Sequence, residues 1–173
     1  MLGPPLSPLL GLAAMLLAGP LLAPAAPVFV VEDVDAERVL LCRPLGAGRT
    51  PRLALAYTHS MYGGDVVEEF VPTIDGRLRR EVATTANAAA AEYYAFDGGV
   101  RRDGDRFLIE APPADYPQLV VRVDRTGGHR LVVGDETFDL VALAGDRRPV
   151  RLVLRSAGPI ARLAGDACQR TNR

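Results

Sequence analysis

The chain of 173 residues contains two histidines, and one of them lies in the run Leu53-Ala54-Leu55-Ala56-Tyr57-Thr58-His59-Ser60. A Gly63-Gly64 pair and the acids Glu68 and Glu69 follow it closely. An imidazole beside a carboxylate can be oriented as a base, have its proton affinity raised, or share a metal ion. In an extended strand Leu53, Leu55, Tyr57 and His59 point one way, and Ala54, Ala56, Thr58 and Ser60 the other. His59 and Ser60 therefore do not form a base and nucleophile pair. A turn centred on Gly63 sets Glu69 opposite Tyr57, and a slip of one residue replaces it with Glu68. Zinc needs at least three protein ligands. The second histidine, His129, follows Thr126-Gly127-Gly128 in a separate segment, and Asp65, Asp97 and Asp115 have no ligand spacing. The candidate polar cluster is thus Tyr57, Thr58, His59, Ser60, Glu69 and His129, a structural hydrogen-bond network or a ligand contact. No catalytic residue, metal or cofactor is assigned.

The chain has no nucleophile elbow, phosphate-binding glycine loop, paired Cys-x-x-Cys, His-Glu-x-x-His or EF-hand loop. Formal net charge is −1, and the twenty basic residues, all arginine, are interspersed with twenty-one acids. Nucleic-acid binding needs a clustered basic face, so it is not expected.

The elements that must position these residues are strands. From Pro27 onward apolar residues recur with period two, broken by Gly, Asp and Pro. This predicts strands near Val28 to Glu32, Arg38 to Cys42, Arg52 to His59, Val66 to Val71, Arg77 to Ala83, Arg106 to Ala111, Leu119 to Asp124, His129 to Val133, Thr137 to Leu143 and Val150 to Arg155. Short connections favour antiparallel pairing. Thr85 to Ala95, with four consecutive alanines, predicts a short helix or loop, and Pro112 to Pro117 a loop. The expected fold is all-β: about ten short antiparallel strands in a β-sandwich or partly open barrel.

Residues 1–26 lack charged side chains and end in small residues and prolines, the pattern of a signal peptide. Pro20 and Pro24 interrupt the stretch short of the roughly 20 apolar residues a membrane span requires. The expected organisation is a leader over 1–26, one β domain over 27–157 and a C-terminal tail over 158–173, in a periplasmic or otherwise exported protein. Membrane contact is expected only through an uncleaved leader. Export makes Cys42 and Cys168 a candidate disulfide.

Leu55-Ala56-Tyr57-Thr58-His59-Ser60, then Val67-Glu68-Glu69-Phe70, then Gly127-Gly128-His129-Arg130-Leu131 with Gly134, Phe138, Leu140 and Leu143, resembles the bacterial family called domain of unknown function 1850. The resemblance covers about Val28 to Arg155. It implies a small, exported, mostly β protein encoded beside, or fused to, tripartite ATP-independent periplasmic (TRAP) transporters with a TAXI-type solute receptor. The implied function is non-enzymatic: an accessory or partner-binding protein in solute uptake, contacting the transporter or its receptor. Tyr62, Tyr93, Tyr94 and Tyr116 are the expected anchors of that contact. The alternative is a small-ligand or metal-binding domain using His59, Glu69 and His129. A Gly-rich family segment is replaced here by Thr84 to Ala91, where Asn87 is the residue suited to a left-handed conformation.

Overall fold

Val28-Phe29-Val30-Val31 is apolar at every position, the signature of a strand buried on both faces. In the computed structural model, which describes residues 26–45, 52–95, 99–110 and 114–157, all four side chains are buried. They belong to β1 (Ala26–Asp33), flanked by β2 (Arg38–Pro44) and β12 (Arg148–Ala157). With β9 (Leu119–Val123) these make a four-stranded antiparallel sheet in the order β2-β1-β12-β9.

The second sheet is formed by β3 (Leu53–Thr58), β4 (Asp65–Pro72), β5 (Leu78–Thr85), β6 (Val100–Asp103), β7 (Arg106–Ile109), β10 (Arg130–Val133) and β11 (Glu136–Asp139). Its order is β11-β10-β3-β4-β5-β7-β6, and β8 (Ala114–Tyr116) pairs with β5 off this path. All pairings are antiparallel. Phe29, Val31 and Leu152 of the first sheet meet Leu53, Leu55, Phe70 and Leu131 of the second in one core. Each such side chain contributes about 1.5–3 kcal/mol of apolar burial. The all-β expectation holds, and the architecture is a sandwich.

The alanine run forms α1 (Ala88–Tyr94), whose small side chains let it lie flat on the second sheet. Ala91 packs against Ala83 and Ile109. Asn87 is extended, at φ −97°, rather than left-handed; its Oδ1 caps the helix by accepting the Ala90 N–H at 3.0 Å. The expected strand Thr137 to Leu143 stops at Asp139. There the carboxylate accepts the N–H groups of Val141 and Ala142 and starts α2 (Leu140–Ala144). Two strands were not expected: β6, and β8 within the anticipated Pro-rich loop. The candidate partner of Cys42, Cys168, lies outside the described residues, as do Asp97, residues 1–25 and the tail 158–173. Among the described residues no helix is long and apolar enough to cross a membrane.

Candidate functional site

The hairpin register decides which glutamate joins the cluster. Thr58 pairs with Asp65 and Tyr57 with Val66, so Glu68, opposite Leu55, is the same-face neighbour of Tyr57. The reason lies in the turn. His59 N–H donates to the Gly64 carbonyl and Gly63 N–H to the His59 carbonyl, both at 2.9 Å, which moves the turn's centre back from Gly63. Glu69 therefore sits on the opposite face, where Arg52 Nη2 donates to its Oε1 at 2.8 Å. The expected Tyr57–Glu69 pairing is replaced by Tyr57–Glu68.

The Tyr57 hydroxyl donates to Glu68 Oε1 at 2.7 Å and lies 2.9 Å from the Tyr94 hydroxyl, which is then the donor to Tyr57. Arg80 approaches the other oxygen of Glu68 at 3.8 Å. Burial pushes the Tyr57 phenol far above its ordinary range, and the Glu68 charge adds to this. Burial raises Tyr94 as well. Both remain neutral donors at any physiological pH.

His59, 5% exposed, stands inside a wall of tyrosines. Its ring centroid is 5.1 Å from Tyr62, 5.1 Å from Tyr93 and 5.3 Å from Tyr94. Tyr93 and Tyr94 come from the last turn of α1, Tyr62 from the β3–β4 loop. Asn87 ties those two pieces together, because its Nδ2 donates to the Tyr62 carbonyl at 3.0 Å while its Oδ1 caps the helix. His59 Nδ1 accepts the N–H groups of Met61 and Tyr62 at 3.2 and 3.3 Å.

His129, 8% exposed, stacks on Tyr57 with centroids 5.6 Å apart and planes at 18°. Its Nδ1 accepts the Asp124 N–H at 3.4 Å. Asp124 Oδ1 in turn accepts the Gly127 N–H at 2.6 Å, which folds the loop back under the ring. Gly127 has no room for a side chain: a Cβ there would lie 2.3 Å from His129 Cε1. Its carbonyl accepts the Thr58 N–H at 2.7 Å, joining the two histidine-bearing segments.

Between them lies a cleft of about 300 Å³ lined by both histidines, Tyr57, Tyr94, Arg122 and Asp124. Thr58 and Ser60 also line it, so five of the six residues named from the sequence, all but Glu69, border one space. Arg122, Asp124, Tyr93 and Tyr94 were not expected there. Tyr93 and Tyr94 are expected from the sequence as partner anchors, and Arg122 on β9 and Asp124 just after it have no local signal in the sequence. Gly127-Gly128 before His129 was the usable clue, since one glycine turns the chain at φ +55° and the other clears the ring.

The polarity of the imidazoles determines what they can do. A metal-ligating histidine donates its other ring N–H to an acceptor. Here Nδ1 of both rings accepts backbone N–H groups, so the proton of each neutral ring resides on Nε2. Each ring then offers the cleft a donor rather than a metal ligand. Neither Nε2 has a partner among the described residues. No group of three His, Cys, Asp or Glu suited to a metal occurs among them. No family model, curated protein or solved structure matches the chain.

Proposed function

We propose that this chain is an exported β-sandwich that binds a small molecule in the Tyr57/His59/His129 cleft. The observation that carries the reading is the meeting of two histidines, each over nine-tenths buried, from segments seventy residues apart in the chain. Both line one concavity near the lower size limit of small-molecule sites, and neither Nε2 has a partner among the described residues. An acceptor-bearing ligand would use the donors that the chain leaves open there.

Gly127→Ala tests the reading, because it displaces the His129 ring without touching the core. Small-metabolite screening by thermal shift should give compounds that raise the melting temperature of the native protein and leave the variant unmoved. Hits that stabilise both proteins equally, or no hits for the native protein, would overturn it.

A second reading is favoured by a separate observation. Met61 and Tyr93, 68% and 57% exposed, line the same cleft, and Tyr62, 42% exposed, stacks on His59 beside it, an amphipathic surface suited to a protein partner. The resemblance given above points to a TRAP transporter or its TAXI-type receptor in the periplasm as that partner. Met61→Ser with Tyr93→Ser should abolish recovery of a transporter component from native envelopes, and unchanged recovery would overturn the partner reading.

A further inference from the structure

We infer that the cleft takes a small monocarboxylate with an apolar body, an inference that rests on the ligand-binding reading above. The donor inventory comes first. His59, His129, Ser60 and Thr126 line a space of about 300 Å³ and bring imidazole and hydroxyl donors to it. Imidazole N–H groups fixed in one tautomer suit an acceptor-only partner, and a carboxylate supplies two oxygens with about four lone-pair sites.

Charge agrees with this. Arg122 lines the cleft and makes no ion pair among the described residues. The opposing acid, Asp124, already has one oxygen engaged by the Gly127 N–H at 2.6 Å. A guanidinium without a carboxylate of its own is available to pair with one that arrives.

The apolar body follows from a second cleft of about 360 Å³ that shares Tyr57, Arg122 and His129 with the first. Leu55, Phe70, Leu119 and Val121 give it an apolar wall. Glu68 also lines it, its carboxylate already held by Tyr57 and near Arg80. Beyond the three shared residues the second cleft is lined by apolar side chains and the acceptor Glu68, so a second carboxylate at the far end of the ligand finds no donor, which selects a monocarboxylate over a dicarboxylate.

The test uses imidazole nitrogen and carbon NMR signals of the native protein, at constant pH and ionic strength, titrated with acetate, butyrate, benzoate, succinate, butyramide and butylamine. Butyrate and benzoate should shift both histidine rings saturably, with butyrate roughly sixteenfold tighter than acetate, since each of its two additional buried CH₂ groups is worth about fourfold in affinity. Arg122→Gln should weaken butyrate at least tenfold with an unchanged melting temperature. Ring shifts with the amide or the amine but not with the carboxylates would overturn the ligand class and leave the binding reading standing. Succinate binding more tightly than butyrate, or butyrate binding equally to Arg122→Gln, would overturn the assignment of the apolar wall or of Arg122. Rings that respond to no compound of any class would remove the binding reading itself.

Discussion

Two buried polar clusters lie on different sheets of this sandwich, and they are finished differently. On β1, Glu32 and Asp33 are 1% and 2% exposed. Glu32 Oε2 accepts from Arg151 Nη1 at 3.2 Å and Oε1 from Arg155 Nη2. Asp33 accepts from the N–H groups of Asp35 and Ala36 at 3.0 Å and from Arg148 at 3.1 Å. Every carboxylate oxygen there has a donor within the chain. At the end of β3 the opposite holds: one nitrogen of each buried imidazole is used internally and the other is left over. These satisfied carboxylates fix sheet geometry and have nothing to offer a ligand, although the Arg151 Nε buried beside them has no hydrogen-bond partner among the described residues. An unsaturated cluster, placed on a concavity, keeps donors in reserve.

That contrast can be broken most forcefully on the saturated side. Glu32→Ala leaves two arginines facing an apolar strand surface and should cost about 3 kcal/mol in urea unfolding. The histidine ring signals should not move, since Glu32 lies on the sheet that carries neither histidine. A variant that shifts those signals would show that the two clusters are coupled rather than independent.

A smaller effect is expected inside the cleft wall. Tyr57→Phe removes the hydroxyl between Glu68 and Tyr94 and should cost about 1–2 kcal/mol. It also changes the alkaline limb of stability. The ordinary tyrosine value is 10.0, and burial raises Tyr57 and Tyr94 above it in the folded protein. The unfolded chain releases these protons near pH 10 while the folded chain retains them. Stability from this source is therefore complete below about pH 10 and declines as the pH rises beyond it. Phenolate absorbance should lag for two tyrosines in the native protein until it unfolds, and Tyr57→Phe should flatten the decline.

The smallest change belongs to the glutamate that faces away. Glu69→Ala breaks only the exposed pair with Arg52 and should cost under about 0.5 kcal/mol, with no change in the cleft. Equal losses for Glu69→Ala and Glu68→Ala would contradict the register on which the site rests.

Period-two patterning and glycine punctuation made the sandwich legible in the sequence, because alternation follows directly from one buried and one solvated face. The alanine run likewise announced α1. Phase within a hairpin was not legible. His59-Ser60-Met61-Tyr62-Gly63-Gly64 admits more than one turn, and only the backbone bonds between His59 and the two glycines choose between Glu68 and Glu69. Phe138-Asp139-Leu140-Val141 is apolar enough for a strand, and a single side chain, Asp139, converts its second half into a helix. Within the site, Tyr57, His59 and His129 were evident as residue types. Arg122 and Asp124 were not, since the sheet topology that delivers β9 to the cleft leaves no trace near either histidine.

Asn87 performs two tasks with one amide, its oxygen on the helix and its nitrogen on the loop that roofs His59. Exchange of that amide for a carboxylate, as in Asn87→Asp, would replace only the nitrogen. Helix α1 would keep its cap, while the Tyr62 carbonyl would meet an oxygen where it had a donor.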